Sequence, residues 1–372
     1  MRSSERETTQ QLSCELAASL AGTLHIYVAF DWGDEIDLEQ ARALVPASFL
    51  ELSRRRRTPS SFSFRPLPLH MALTPTPLEL AELGRVEAQA GLTVFDFAGV
   101  SLALRVPLTM SAEALIRLAG SLADPMALVQ AARTLLRPIF DTLRPAIEDT
   151  AWDVDFSEEY FVFQLSPEAH QVCGQPPWLA GMVHLESGPL SAEEVQEALR
   201  LKLSYSPDDL FVPDWAAALL IDKECDETLQ AIEFANLQLL EYRHIDHRLD
   251  QSLAAAQRTI APLARSPLFP FWHHARPVRE LGALKVEAND LFERAGNVLK
   301  LVGDPYLARV YRLVAQRFHI EVWEKSIQRK LEAAEGAYQV ISDQAGSYRT
   351  EFLEIIVVLL ILIEIVMAVV RH

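Results

Sequence analysis

Residues Gly91 to Leu108 read GLTVFDFAGVSLALRVPL. Two runs of β-forming residues meet at Ala98-Gly99, which predicts a hairpin or a tight bend. Working outward to the N-terminal side, Thr23 to Trp32 (TLHIYVAFDW) is a third β-rich run that stops at Gly33. Asp37 then stands as an N-cap before LEQARALVP, a short helix ending near Pro46. Ser53 to Ser61 carries Arg54, Arg55, Arg56 and Arg57 followed by TPSS, the pattern of an exposed loop. Four adjacent guanidinium groups either meet phosphate or lipid headgroups, or balance nearby acids in solvent. Phe62 to Leu73 predicts another strand, placed at a sheet edge by its prolines.

On the C-terminal side, helical periodicity follows at Ala112 to Leu122 and Met126 to Glu148, and Tyr160 to Leu165 (YFVFQL) returns to strand character. Cys173 to Gly188 is rich in Pro and Gly and reads as a surface excursion. Ser191 caps AEEVQEALRLKL, with Glu194 completing a capping box. Asp209 to Asp222 (DLFVPDWAAALLID) reads as one buried strand. After a flexible stretch over residues 1–20, strands and helices thus alternate irregularly over residues 21–222. This is an α+β domain, divisible near residue 150.

After Asp226 the period changes. Ile232, Ala235, Leu239, Tyr242, Asp246, Leu249 and Leu253 recur at spacings of three and four. The same spacing returns at Leu281 to Val302 and at Tyr306, Val310, Leu313, Arg317, Ile320, Glu324, Ile327 and Leu331. Sustained heptads mean helices packed along a narrow seam, so residues 226–349 predict an antiparallel, coiled-coil-like arm. Arg317 and Asp246 occupy seam positions, and a structural ion pair between them is the simplest expectation. Self-association through this arm is a second one.

The last stretch, Phe352 to Val370, reads FLEIIVVLLILIEIVMAVV. Nineteen helical residues span about 28 Å, close to a bilayer's hydrocarbon core. Fifteen of them are Leu, Ile, Val or Phe, and together they favour insertion by about 4–9 kcal/mol. Glu364, inside the run, opposes this by about 3 kcal/mol if charged and central. Glu354 lies near the edge, where it can reach the headgroups. An acid inside a membrane helix is a functional candidate by default. The segment therefore predicts a single C-terminal transmembrane helix, and the lipid bilayer as the first partner.

The net charge of −17 over 372 residues argues against direct DNA binding. Cys14, Cys173 and Cys225 are far apart and match neither a disulfide framework nor zinc spacing. They indicate a reducing compartment. The N-terminus has no long apolar run, so the expectation is a tail-anchored protein with its body in the cytoplasm. His244 and His247 share a helix face without a third ligand at metal spacing. No P-loop, GxGxxG, GxSxG, HExxH or CxxC occurs. No cofactor and no metal is expected.

The order of segments resembles the "required for meiotic nuclear division" family. The likeness is carried by Leu203 to Asp222, Glu233 to Asp250, Val302 to Asp343 and the tail from Phe352, with Glu354 and Glu364 matching its C-terminal pattern. The FDFAGVSLALRVPL stretch is similar to the family's early sheet segment. The resemblance implies a bacterial-type member with a C-terminal anchor, a domain of unknown function and no catalytic residue to carry over. Mitochondrial members support organellar translation by tethering ribosomes, but this chain lacks a transit segment. The function expected is a non-catalytic membrane-tethered scaffold that binds a protein partner. The alternatives are an enzyme with a site in the α+β domain, or a ribosome or RNA tether using Arg54 to Arg57.

Overall fold

The computed structural model describes residues 19–46, 66–150, 156–171, 175–223, 225–263 and 305–337, with isolated positions elsewhere. By its contacts the chain divides into two units, one of residues 1–241 and 294–321, the other of residues 242–293 and 322–372. The first turns of the long helix thus group with the sheet.

In the first unit, β1 (Ser19–Asp31) is followed by β2 (Glu35–Ile36) and α1 (Leu38–Leu44). Asp37 caps α1, its Oδ1 accepting from the backbone of Glu39 and Gln40 at 3.0 Å each. Next come β3 (Leu69–Ala72), β4 (Thr76–Leu80), β5 (Gly84–Val94), β6 (Gly99–Ser111), α2 (Ala112–Ser121) and α3 (Met126–Leu143). β7 (Ile147–Glu148), β8 (Glu158–Leu165), α4 (Pro176–His184), α5 (Ala192–Ala198), β9 (Leu210–Pro213) and β10 (Ala217–Ile221) complete the sheet and its first helices. The long helix α6 (Asp226–Leu263) contributes its first sixteen residues here, and α7 (Pro305–Arg317) returns to the same unit.

The main sheet runs β3-β5-β6-β1-β8-β10-β9, with β4 also on β5. Every pairing is antiparallel except β8 with β10. The expected hairpin closes at Phe95–Ala98, where Ala98 takes φ 58° and the amide of Phe95 bonds to the carbonyl of Gly99 at 3.0 Å. Strand alternation sorts the core. Leu24, Ile26, Val28 and Phe30 of β1 join Leu102 and Leu104 of β6 and Phe161 and Phe163 of β8 against α2, α3 and α4. The intervening residues, His25, Tyr27, Ser101 and Tyr160 among them, look the other way, where α6 and α7 lie over them.

Three expectations are corrected. Cys173 to Gly188 is no surface excursion: within it, α4 buries six of its nine residues. Pro176 and Pro177 open the helix, where the first amides need no partner. Gly181 admits close approach, since a Cβ there would stand 2.8 Å from Ile116 and from the carbonyl of Glu186. Trp178 donates its indole N–H to the carbonyl of Ala112 at 2.9 Å. Trp178→Phe should therefore cost about 1 kcal/mol in thermal or urea unfolding. Second, Asp209 to Asp222 forms two strands, β9 and β10, with a turn at Asp214–Ala216. Third, the helical run expected to continue unbroken from Tyr306 to Leu331 stops at Arg317 and resumes over residues 320–337, called α8. His319 stands at φ 52° in the break, beside Phe318, which is fully buried against Tyr160 and Trp215.

In the second unit, residues 242–263 of α6 pack with described positions between 282 and 293 and with α8. Ile327, Leu331 and Ala334 are buried there, and Tyr242 stacks on Phe292. Lys330 bridges Asp246 and Asp250 at 2.8 and 2.7 Å, and Lys285 pairs with Glu335.

Among the described residues no helix is long and apolar enough to cross a membrane. Of the terminal segment only Leu360, Ile361, Ile363 and Met367 are described, all helical. Glu354, Glu364 and Arg54 to Arg57 lie outside the described residues.

Candidate functional site

Two buried polar clusters flank the covered face of the sheet. The first is built on Arg317, the last residue of α7, which is only 9% exposed. Its Nε donates to the carbonyl of Pro213 at 3.2 Å. Its Nη2 donates to the carbonyls of Glu197 and Ala198 at 2.6 and 2.8 Å. Its Nη1 meets Glu197 Oε1 at 3.2 Å and Asp214 Oδ1 at 3.5 Å. Four of these contacts are hydrogen bonds, and Asp214 lies at ion-pair distance. The cation also closes the C-terminal end of α5, where partial negative charge collects. At the sheet edge, Pro213 has no N–H to offer and its carbonyl belongs to Arg317, while Phe211 exchanges both backbone bonds with Leu203. Arg317 therefore helps to blunt an edge strand.

Asp214 holds the cluster's centre. Burial raises its pKa, and the charges of His184 and Arg317 pull it back down. Its Oδ2 lies 3.3 Å from His184 Nδ1, the arrangement by which an acid orients an imidazole. Nε2, the atom a general base would present, is buried and has no partner among the described residues. Tyr160 donates its hydroxyl to the carbonyl of Asp214 at 2.9 Å.

The second cluster lies beneath the start of α6. Glu233 lies close to the hydroxyls of Ser101 and Thr93, with its Oε1 and the Ser101 Oγ buried outside any hydrogen bond among the described residues, and His70 Nδ1 is 3.2 Å from the Thr93 hydroxyl. Burial raises the Glu233 carboxyl, against the pull of those two hydroxyls and of the Arg105 charge. Burial also raises the Tyr27 phenol, and the Glu233 charge adds to it. His25 falls to about 4 through burial, although its bond to Gln164 favours the cation. Cys225 is pushed up to about 12, again first by burial and then by Asp222 and Asp226. Each group is displaced toward its neutral form. A neutral buried thiol is a poor nucleophile. Among the described residues no group of His, Cys, Asp and Glu is set to hold a metal. A shallow hollow of about 680 Å³ is lined by Pro176, Glu193, Glu194, Glu197 and Arg200 at the surface of α5.

Of the residues singled out from sequence, Arg317 and Asp246 are both placed, but in different settings. Arg317 binds Glu197 and Asp214, and Asp246 binds Lys330 and accepts from Ser326 at 3.3 Å. The expected pairing of the two is corrected: each finds a closer partner. Sequence reasoning missed His184, Glu197, Asp214, Tyr27 and Glu233. The available signal was Asp214-Trp215 interrupting an apolar run, and a lone Glu on the apolar side of a helix.

The chain's residues 21–227 match the family described as "Uncharacterized protein MJ0711, N-terminal domain". The uncharacterized protein MJ0711 of Methanocaldococcus jannaschii is 27% identical over 178 residues, 47% of this chain and 54% of that protein. The chain thus spans about half the length of this curated relative. No solved structure matches. Neither description connects with the meiotic nuclear division family. The matched span takes in β1 through β10, with His25, Tyr27, Thr93, Ser101, His184, Glu197 and Asp214, whereas Glu233 and Arg317 lie beyond it.

Proposed function

Because the chain belongs to the family of the MJ0711 N-terminal domain, we propose that this domain is the body of a non-catalytic adaptor held at a bilayer by the chain's last helix, on the cytoplasmic side. The observation that carries the reading is the tail itself. Leu360, Ile361, Ile363 and Met367 are helical and 58, 51, 44 and 60% exposed. At 100° per residue they cover an arc of about 160°, wider than the stripe a packed surface helix needs. Large apolar side chains exposed along such an arc are costly in water and favourable in lipid.

The buried clusters support an adaptor over an enzyme. Arg317 is committed to acceptors of the protein itself, and burial displaces the groups beneath α6 toward their neutral forms. The seam of the second unit supports a revision of the self-association expected from its heptads. Ile327, Leu331 and Ala334 are already buried within the chain, so partner binding is assigned to the body.

Deleting residues 350–372 tests the tether. The full chain should stay in the membrane pellet through a high-salt wash, and the truncated chain should move to the supernatant. A truncated protein that still resists the wash would overturn the reading.

A further inference from the structure

α7 carries a second surface that its buried role does not use. Residues 305–320 contain Arg309, Arg312, Arg317 and His319 and no acid, in a chain of net charge −17. Arg317 turns inward. Pro305, Arg309, Arg312 and Gln316 are all exposed, and their spacing puts them on one stripe of the helix, because each step of three or four residues returns to the same side. The stripe is about 17 Å long at 1.5 Å per residue, and exposed His319 follows in the break beyond it. Neither Arg309 nor Arg312 has an ion pair with a described residue.

Aromatic rings stand at both ends. Tyr205, 78% exposed, packs edge-on against Tyr306 at 5.7 Å, and the Arg309 guanidinium lies 5.8 Å from the centre of the Tyr306 ring. The Tyr205 loop is fixed, since Asp209 Oδ1 accepts from the amides of Tyr205 and Ser206 at 2.8 and 2.9 Å. At the other end Trp215, 45% exposed, packs against Phe318 and His319. Of the surrounding acids, Glu197 pairs with Arg200 and Arg317, and Asp209 is held within its loop, while Asp208 and Glu321 are exposed.

We propose that this stripe docks the body on a bilayer surface rich in anionic lipid, with Arg309 and Arg312 on headgroup phosphates and Tyr205, Tyr306 and Trp215 at the headgroup level. Trp and Tyr favour that depth because one end of each ring is apolar and the other polar. A free polyanion is repelled by the chain's overall charge, so a short basic stripe serves best against a surface to which the chain is already held. The inference rests on the tethered reading of the tail, and names the lipid class that the tethered body meets.

The test uses the full chain on vesicles of brominated phosphatidylcholine, with and without one third phosphatidylserine. Tryptophan quenching should rise with phosphatidylserine, and this rise should vanish in Trp215→Phe and in Arg309→Gln/Arg312→Gln. Losing two cations should weaken the surface contact about 30-fold, each being worth about fivefold at such a surface. Unchanged circular dichroism in the variants shows that they fold. Flotation with both vesicle types but no serine-dependent quenching would overturn the docking surface and leave the tether standing. Flotation with phosphatidylserine alone, dependent on Arg309 and Arg312, would uphold the surface and overturn the tether. Tight binding of a structured RNA through the same arginines, without a lipid effect, would overturn the assignment to lipid.

Discussion

Arg317→Leu is expected to destabilise the first unit by about 3–5 kcal/mol, the range for removing one partner from a buried charged network. For a unit of this size that is a fall in melting temperature of roughly 6–20 °C. The loss has two sources. Carbonyls of Pro213, Glu197 and Ala198 lose their donors, and Asp214, buried and already raised by that burial, keeps only His184 as a counter-charge. Arg317→Lys should recover little, because one ammonium cannot serve acceptors spread around a planar fork. Adding Asp214→Asn to Arg317→Leu should return part of the loss by removing the stranded carboxylate. A double variant no more stable than the single one would assign the loss to packing instead. A melting point within about 2 °C of the parent for Arg317→Leu would refute the role given to this residue.

Why the sequence announced Arg317 but not its partners follows from what periodicity can register. Heptads locate residues on helices, so they offered Asp246, on another helix, as the partner. Glu197 and Asp214 sit at a helix end and in a strand turn, more than a hundred residues away in the chain. Only the folded sheet brings them together. The break at Phe318–His319 was invisible for a related reason. Ile320 continues the spacing of Val310 and Leu313, and neither Pro nor Gly marks the site. The interruption comes from tertiary contacts, with Arg317 drawn to the sheet edge and Phe318 packed between Tyr160 and Trp215.

Strands β1, β6 and β8 and the end of β5 from Gly91 were legible because alternation and β-branched residues agree there. α4 was not, since a helix buried on nearly every side carries no amphipathic stripe, and its leading prolines and internal glycine mimic a loop. β9 and β10 merged in the reading because both are apolar and the turn between them carries no glycine. The cluster beneath α6 was hidden by the same alternation that revealed the sheet. His25 and Tyr27 fall at the positions of an outward polar face, and the covering helix makes them interior. This is also why burial is the first cause of every shift in that cluster.

That cluster gives the second large effect, a pair of opposed pH slopes. His25 Nε2 donates to Gln164 Oε1 at 2.9 Å, and Gln164 in turn donates to the carbonyl of Asp222 at 3.2 Å. Its Nδ1 is buried without a partner among the described residues. Protonating His25 would strand a donor there, in keeping with a pKa lowered from 6.5 to about 4, chiefly by burial. The unfolded chain then binds one more proton than the folded one between those values, so folding loses stability as pH falls from 6.5 to 4. The full loss is about 3 kcal/mol at 1.36 kcal/mol per pKa unit. Glu233 works in the opposite sense. Its carboxyl is raised, so the folded state holds its proton longer, and stability is lost as pH rises from the usual carboxylate range to the raised value. In the parent protein the two slopes oppose each other above pH about 4.5. Glu233→Gln should unmask the His25 slope, and stability measured by urea unfolding should climb more steeply from pH 4 to 6.5. His25→Gln should leave a curve that only falls with rising pH in that window, apart from contributions shared by both proteins. If both variants kept the parent's pH profile, the groups beneath α6 would have to titrate as they do in water, and the burial-driven shifts described for them would be wrong.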